Sequence, residues 1–337
     1  MKSVAFRQPL PITHADALMD IVLEDPVATG HDLLVEVQAI SVNPVDVKKR
    51  ISTQINSDEW KVLGWDAAGI VHAVGPDVSL FKPGDRVWYA GSITRPGSNS
   101  ELQLVDERIV GRMPRTLDFS AAAALPLTSL TAWEMLFDRF GIVQDATPLA
   151  KSLLIIGAAG GVGSIMTQLA RRLTGLTVIG TASRPETQAW VKQAGAHHVI
   201  NHHEPLAPQL AEIGIPHPDY VISLTHTDQH FDQIAEVIAP QGKFGLIDDP
   251  DFFDVRKLKL KSVSLHWELM FTRAMFHTED MTRQHDILTA VGDLVDEGIL
   301  TTTVAEHFGT INASNLKRAH ALLESGKSRG KIVLEGF

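Results

Sequence analysis

Ser152-Leu153-Leu154-Ile155-Ile156-Gly157-Ala158-Ala159-Gly160-Gly161-Val162-Gly163 is the stretch on which the reading of the whole chain turns. Leu153 to Ile156 is a short apolar run of the kind buried in a parallel sheet. Beyond the glycines, Val162, Ile165, Met166, Leu169 and Leu173 recur at helical spacing and line one face, with Gly175 as the expected stop. The uncharged stretch runs on to Ala170 and approaches the length of a membrane-spanning helix. Its four glycines divide it instead into strand, turn and amphipathic helix, so no membrane partner is expected. A glycine turn in this context is the fingerprint of a dinucleotide site. Glycine lets the backbone turn tightly and approach a pyrophosphate, whose charge meets the free amides and positive end of the helix. The candidate cofactor contacts here are Gly157, Ala158, Gly160, Gly161, Val162 and Gly163.

Downstream, apolar runs at Thr177–Thr181, Val199–Asn201, Tyr220–Leu224, Phe244–Ile247 and Val263–Leu265 alternate with helical patterns, one of them marked by Phe231, Ile234, Ala235 and Ile238. That alternation predicts a doubly wound parallel sheet. Ligands sit at the carboxyl ends of such strands, which makes Thr225 and Ile247 further candidates for cofactor contact. Upstream the pattern changes. Met1 to Phe6, Leu34 to Ile40, Gly69 to Val74 and Arg86 to Tyr89 read as strands, the last entered through the turn Lys82-Pro83-Gly84-Asp85. A helical pattern covers Ser129 to Phe140. After about Glu268 come a helix with Ile287, Leu288, Val291, Leu294 and Val295, another around Leu316 to Leu323, and a last strand, Lys331 to Leu334.

The choice of dinucleotide is read at the end of the second strand of the parallel sheet. An NAD site places Asp or Glu there to bind the ribose hydroxyls. This chain has Ser183-Arg184, and Arg184 offers a bidentate fork to a 2′-phosphate, which favours NADPH, with NADH as the alternative.

Composition narrows the function classes. The 337 residues exceed what one core usually supports, and 44% hydrophobic with 21% charged residues is ordinary globular usage. Thirty Lys and Arg against forty Asp and Glu give a net charge of −10, with no basic run to track a nucleic-acid backbone. There is no cysteine, which excludes disulfides, iron–sulfur clusters, thiolate zinc and a cysteine nucleophile. The N-terminus has no apolar leader, so a cytoplasmic location is expected. Among the fifteen histidines, His197-His198 and His202-His203 invite a metal reading, but neighbours on a strand point to opposite faces and neither pair chelates naturally.

Gly64-Trp65-Asp66-Ala67-Ala68-Gly69, Lys82-Pro83-Gly84-Asp85-Arg86-Val87, Pro126-Leu127-Thr128-Ser129-Leu130-Thr131-Ala132 and the Ala-Ala-Gly-Gly-Val-Gly turn resemble the medium-chain dehydrogenase/reductase superfamily. Within it the chain is similar to the zinc-free quinone oxidoreductases and to proteins named as zinc-binding alcohol dehydrogenases. The resemblance implies a GroES-like, partly open β-barrel substrate domain over 1–126 completed by 269–337, a Rossmann domain over 127–268, and usually a homodimer. Zinc-dependent relatives hold their catalytic metal with two Cys and the His of a Gly-His-Glu motif. Here Asn43 stands in Ser41-Val42-Asn43-Pro44-Val45-Asp46 where the first Cys would lie, Trp65 replaces the His, and Ala124-Leu125-Pro126 covers the third position. Neither Trp nor a saturated side chain ligates zinc, so no metal is expected.

The chemistry this implies is hydride delivery to a small electron-poor acceptor, such as a quinone or an α,β-unsaturated carbonyl. By position in the family pattern, Asn43 and Asp46 belong to the substrate cleft and Thr128 lies beside the nicotinamide. Tyr89 is a further catalytic candidate, and His266-Trp267-Glu268 a weaker one. Lys331 is expected, by the same resemblance, to reach the pyrophosphate. Two other readings stay open: an alcohol dehydrogenase with an unconventional metal, and an NADPH-binding protein without turnover.

Overall fold

Six parallel strands form the sheet of one of the two units into which the chain divides, residues Thr131–Met270. In this computed structural model, which describes residues 1–53 and 59–337, their spatial order is His198–Ile200, Thr177–Thr181, Ser152–Ile156, Tyr220–Ser223, Lys243–Leu246, Ser264–Trp267. Numbered along the chain, that is the 3-2-1-4-5-6 order of a doubly wound dinucleotide-binding sheet. The first strand, Ser152–Ile156, is buried along its whole length, which is why its sequence shows no polar alternation. The helix after it, Gly161–Leu173, buries Ile165, Met166, Leu169 and Ala170. One side of the sheet packs Leu154, Ile156, Ile179, Val221, Phe231, Ile234, Phe244 and Leu246 into a common core. No helix among the described residues is long and apolar enough to cross a membrane.

The stretch expected to be one helix over Ser129–Phe140 divides into an α-helix, Pro126–Trp133, and a π-helical turn, Glu134–Arg139. The wider turn brings Met135 against Gly245, where even a Cβ would lie 2.5 Å from the Met135 sulfur, so helix and strand approach more closely than side chains normally permit.

The other unit, Met1–Leu130 with Phe271–Phe337, is built on a sheet made from both ends of the chain. Its path runs Val304–His307, Lys331–Glu335, Asp32–Val42, Ala67–Val74, Arg86–Tyr89, Val110–Arg112, with Leu102–Asp106 also paired to Asp32–Val42. The two ends of the path do not pair, so this is an open, curved sheet rather than a closed barrel. A three-stranded sheet, Met19–Val22, Lys2–Phe6, Lys61–Val62, completes the unit. The antiparallel pairing of Lys331–Glu335 with Asp32–Val42 sets Ile332 opposite Val42 and carries the C-terminal segment to Asn43.

Candidate functional site

Within the parallel-sheet unit, Gly157 follows the first strand with φ +81°, a backbone conformation that L side chains rarely adopt. Its N–H donates to Thr181 Oγ1 at 3.0 Å, and the Ala158 N–H donates to the Thr181 carbonyl at 3.1 Å, which pins the turn to the second strand. A Cβ on Gly163 would lie 2.5 Å from Ala158 Cα, so glycine there is required for helix and turn to touch. Gly160 differs: the nearest atom to a Cβ is the Gly157 carbonyl oxygen at 3.6 Å, leaving an open face. The first helical amides, at Gly161 and Val162, have no acceptor among the described residues, which is the donor set a pyrophosphate needs. Thr225 packs on the same turn, its Cγ2 2.9 Å from the Cβ position of Gly157, and Ile247 follows the fifth strand, half-buried. The residues present therefore fit a dinucleotide.

Arg184 is the N-terminal residue of the helix Pro185–Gln193, and Ser183 precedes it, half-buried. The guanidinium Nε of Arg184 lies 3.2 Å from Glu186 Oε1, so a phosphate arriving there must share it with a carboxylate that the sequence reading passed over.

The second cluster belongs wholly to the other unit. Asn43 ends the strand Asp32–Val42 in extended conformation and starts the helix Pro44–Ser52, with Pro44 in the first turn, where its missing N–H costs nothing. The Asn43 N–H donates to Asp46 Oδ2 at 2.6 Å, half of a capping box. The other half is absent, because the Asn43 side chain is engaged elsewhere. Its Nδ2 donates to Asp66 Oδ2 at 2.8 Å, and its Oδ1 accepts from the Lys331 ammonium. Lys331 also donates to Asp66 Oδ2 at 2.9 Å and to the Val42 carbonyl at 3.0 Å. Asp66 Oδ1 accepts the Leu127 N–H at 2.8 Å, which ties the start of Pro126–Trp133, and with it Thr128, to the cluster.

Asn43, Asp46, Asp66 and Lys331 are each at most 3% exposed. Burial pushes the Asp46 carboxyl up to about 7 against the pull of the Asn43 amide and the Lys331 ammonium, with the charge of Asp66 adding to the rise. Asp46 Oδ1 makes no close hydrogen bond among the described residues, although the Gly64 backbone lies near enough to the carboxyl to oppose its rise slightly. Burial raises Asp66 as well, opposed first by Lys331 and then by Asn43.

Three expectations are corrected here. Lys331 does not present its ammonium to a pyrophosphate: all three of its donors are used by Val42, Asn43 and Asp66 inside the sheet unit that the chain termini build. Tyr89 is 1% exposed and its hydroxyl donates to Gln103 at 2.8 Å, so its phenol, held protonated by burial, is turned into the core rather than toward an open cleft. Asn43 has both ends of its amide satisfied by Asp66 and Lys331, so the structure does not show it turned toward an acceptor. Thr128 is also buried, donating to the Leu125 carbonyl at 3.1 Å.

Asp66 was missed by sequence reasoning although it sits in a quoted motif. The signal was available: a carboxylate between Trp65 and the apolar pair Ala67-Ala68 has to find a partner once buried. Trp65 is 3% exposed, donates its indole N–H to the Ser92 carbonyl at 3.1 Å, and packs edge-on to Phe271. It also lines a cavity of about 420 Å³ with Leu63, Trp60, Ile93 and Gln103. Of the His266-Trp267-Glu268 group, Glu268 is the buried member, donor-bound by Arg139 Nε at 2.7 Å and lifted to about 9 by burial and by Glu134 beside it. Among the described residues, no three His, Asp or Glu side chains are placed to hold a metal.

Comparison with known proteins gives these two sites a family. Residues 29–115 match the alcohol dehydrogenase GroES-like domain, and residues 194–334 match the zinc-binding dehydrogenase family. A zinc-type alcohol dehydrogenase-like protein of Staphylococcus aureus is 42% identical over 336 residues, 99% of each chain. Human quinone oxidoreductase is 37% identical over 180 residues, about half of each chain: 53% of this one and 52% of the other. A crystal structure from Rhizobium etli, described provisionally as a zinc-dependent alcohol dehydrogenase protein, is 60% identical, covers 100% of this chain and 98% of its own, and superposes with a TM-score of 0.96.

Proposed function

The chain belongs to the medium-chain dehydrogenase/reductase superfamily, in its quinone-oxidoreductase-like branch, and from that premise we propose an NADPH-dependent, zinc-independent reductase of small electron-poor acceptors. Enzymes of this type are oxidoreductases using a nicotinamide dinucleotide, and Escherichia coli quinone oxidoreductase and a mycobacterial protein of the same fold have been solved with NADPH bound. Bound NADPH would supply the hydride. Quinones and α,β-unsaturated carbonyls are the acceptor class, since conjugation already activates them and no Lewis acid is needed. A homodimer is part of the same reading.

The observation that carries the zinc-independent reading is the Asn43–Asp66–Lys331 network. Zinc does not fit these residues. A metal would be drawn to the Asp66 carboxylate, but the Lys331 ammonium already supplies the compensating cation there, and Trp65 commits its only polar hydrogen to Ser92. What the residues do instead is hold a proton. Asp46, at about 7, keeps one near neutral pH, and its unpartnered Oδ1 is the atom from which it can leave for a reduced oxygen. Asn43, Asp66 and Lys331 are positioning residues that fix the backbone around it. The glycine turn orients the dinucleotide through its free amides, and Arg184 reads the 2′-phosphate.

The cofactor half is tested by Arg184→Glu. Loss of a charge-assisted contact is worth about 1.5–3 kcal/mol, so NADPH binding should weaken roughly ten- to a hundredfold while NADH binding changes little. Equal losses for both dinucleotides would show that Arg184 does not read the phosphate.

A further inference from the structure

Four histidines that the sequence scatters across 29 positions converge at the carboxyl end of the parallel sheet, beside the glycine turn. His202 and His203 follow the strand His198–Ile200, while His226 and His230 open the helix Thr227–Val237. The His202 ring centroid lies 4.9 Å from that of His203 and 5.7 Å from that of His230. Both ends of the cluster are wired to the turn. Thr181 Oγ1, which accepts the Gly157 N–H, is 2.9 Å from His202 Nδ1. Thr225, which packs on Gly157, places its Oγ1 2.6 Å from His226 Nδ1. His226 is held at φ +49°, in the left-handed region. Exposure is graded, from buried His230 through half-buried His202 to exposed His203 and His226, so the cluster opens to solvent on one side.

Resting on the NADPH reading above, we propose that His202, His203, His226 and His230 form a proton-linked subsite for the 2′-phosphate of the dinucleotide. Strand order supports the placement: the adenosine half of such a cofactor lies over the second and third strands, and the cluster caps the third while touching Thr181 at the end of the second. Arg184 cannot account for the phosphate alone, because Glu186 already shares its guanidinium.

In the free protein His202 and His230 are held toward their neutral forms. Burial, then His230, His203 and His226 in turn, bring His202 down to about 4, and burial with His226 and His203 lowers His230. The anionic neighbours only partly offset this. Asp228 and Asp248 raise His230, but Asp248 spends its oxygens on the Thr227 N–H and hydroxyl, and Glu204 accepts from Asn201. His202 and His230 are therefore mostly uncharged at pH 7, and the pocket becomes more positive when an anion draws protons onto its rings. A dianionic phosphate among the rings favours their protonated forms, so binding takes up protons and tightens as pH falls. Between about pH 8 and 6.5 the phosphate itself stays largely dianionic, since its second ionisation lies near 6. One proton taken up per molecule bound changes the dissociation constant about tenfold per pH unit.

The test is calorimetric titration of the whole chain with NADPH and with NADH, at pH 6.5 and 8.0, in two buffers of different ionisation enthalpy and with chelator present. The proposal expects NADPH to bind with net proton uptake near pH 6.5 and NADH with none. The preference for NADPH over NADH should rise by up to about thirtyfold from pH 8.0 to 6.5, the full figure corresponding to one proton taken up across the whole interval. His202→Gln should abolish the uptake, and the exposed pair His203→Gln and His226→Gln should reduce it without risk to the core. Equal proton uptake for both dinucleotides, or an unchanged pH dependence in all three variants, overturns the inference and leaves the cofactor reading intact. If folded protein binds neither dinucleotide, the cofactor reading falls, and this inference with it.

Discussion

Asp46 carries the clearest pH signature of the molecule. Its carboxyl is raised from 3.8 to about 7, so over that interval the native state keeps a proton the unfolded chain has released. The stability this gives is full below 3.8 and is lost as pH rises toward 7. Asp46→Asn keeps an oxygen for the Asn43 N–H and removes the titration. Its denaturation midpoint should therefore vary less between pH 4 and 7 than that of the wild type. Its turnover should fall by about a hundredfold or more, since a positioned proton donor is worth at least that, and the decline of wild-type kcat above about pH 7 should disappear. A variant with wild-type kcat at every pH would remove Asp46 from the chemistry.

At Lys331 the physics is that of a buried ion pair. Lys331→Met strands the Asp66 carboxylate in a site with no other cation in contact among the described residues, at a cost of about 3–5 kcal/mol. Without the ammonium the Asp66 carboxyl rises further, so the deficit should be smaller at pH 5, where protonation is easier, than at pH 8. Adding Asp66→Asn should return most of the loss. Urea denaturation of the two variants at both pH values checks this, and a deficit independent of pH would show that packing, not charge, was removed.

Among the elements, the glycine turn was fully legible in the sequence. An apolar run, four glycines and a helical stripe allow few other structures. The structure adds a distinction that composition cannot supply. Gly163 is demanded by the fold, because its missing Cβ lets the turn touch the helix, whereas Gly160 faces open space. Gly160→Val should fold normally, with wild-type circular dichroism, and lose most dinucleotide affinity by tryptophan fluorescence titration. Gly163→Val should lower thermal stability as well. Both variants binding NADPH like the wild type would displace the cofactor from this turn.

The strands of the parallel sheet were likewise readable, to within a residue or two at their ends, because buried strands are apolar along their length. The helices Pro185–Gln193 and Leu206–Glu212 were not, since each is short and buries only two residues. The π-helical turn at Glu134–Arg139 left no trace either: it goes with the close approach of Met135 to Gly245, more than a hundred residues away. The candidate site divides in the same manner. Local motifs announced the turn, but the partnership of Asn43 with Asp66 and Lys331 spans 288 positions and exists only once the last strand pairs with Asp32–Val42. Long-range register decides what a polar side chain meets, and that is why the partners of Lys331 and Tyr89 could not be read from their neighbours in sequence.

For the whole molecule, family membership and chemistry pull in different directions. The relatives carry zinc in their names, while the positions that would hold it here are an amide, an indole and an apolar segment. The direct test is NADPH oxidation by the purified chain after exhaustive dialysis against chelator, with its zinc content determined, using a panel of quinones and α,β-unsaturated ketones. The account predicts undiminished turnover of at least one acceptor class at far substoichiometric zinc, with no gain on adding the metal. Activity that vanishes on chelation and returns with one zinc per chain would contradict it.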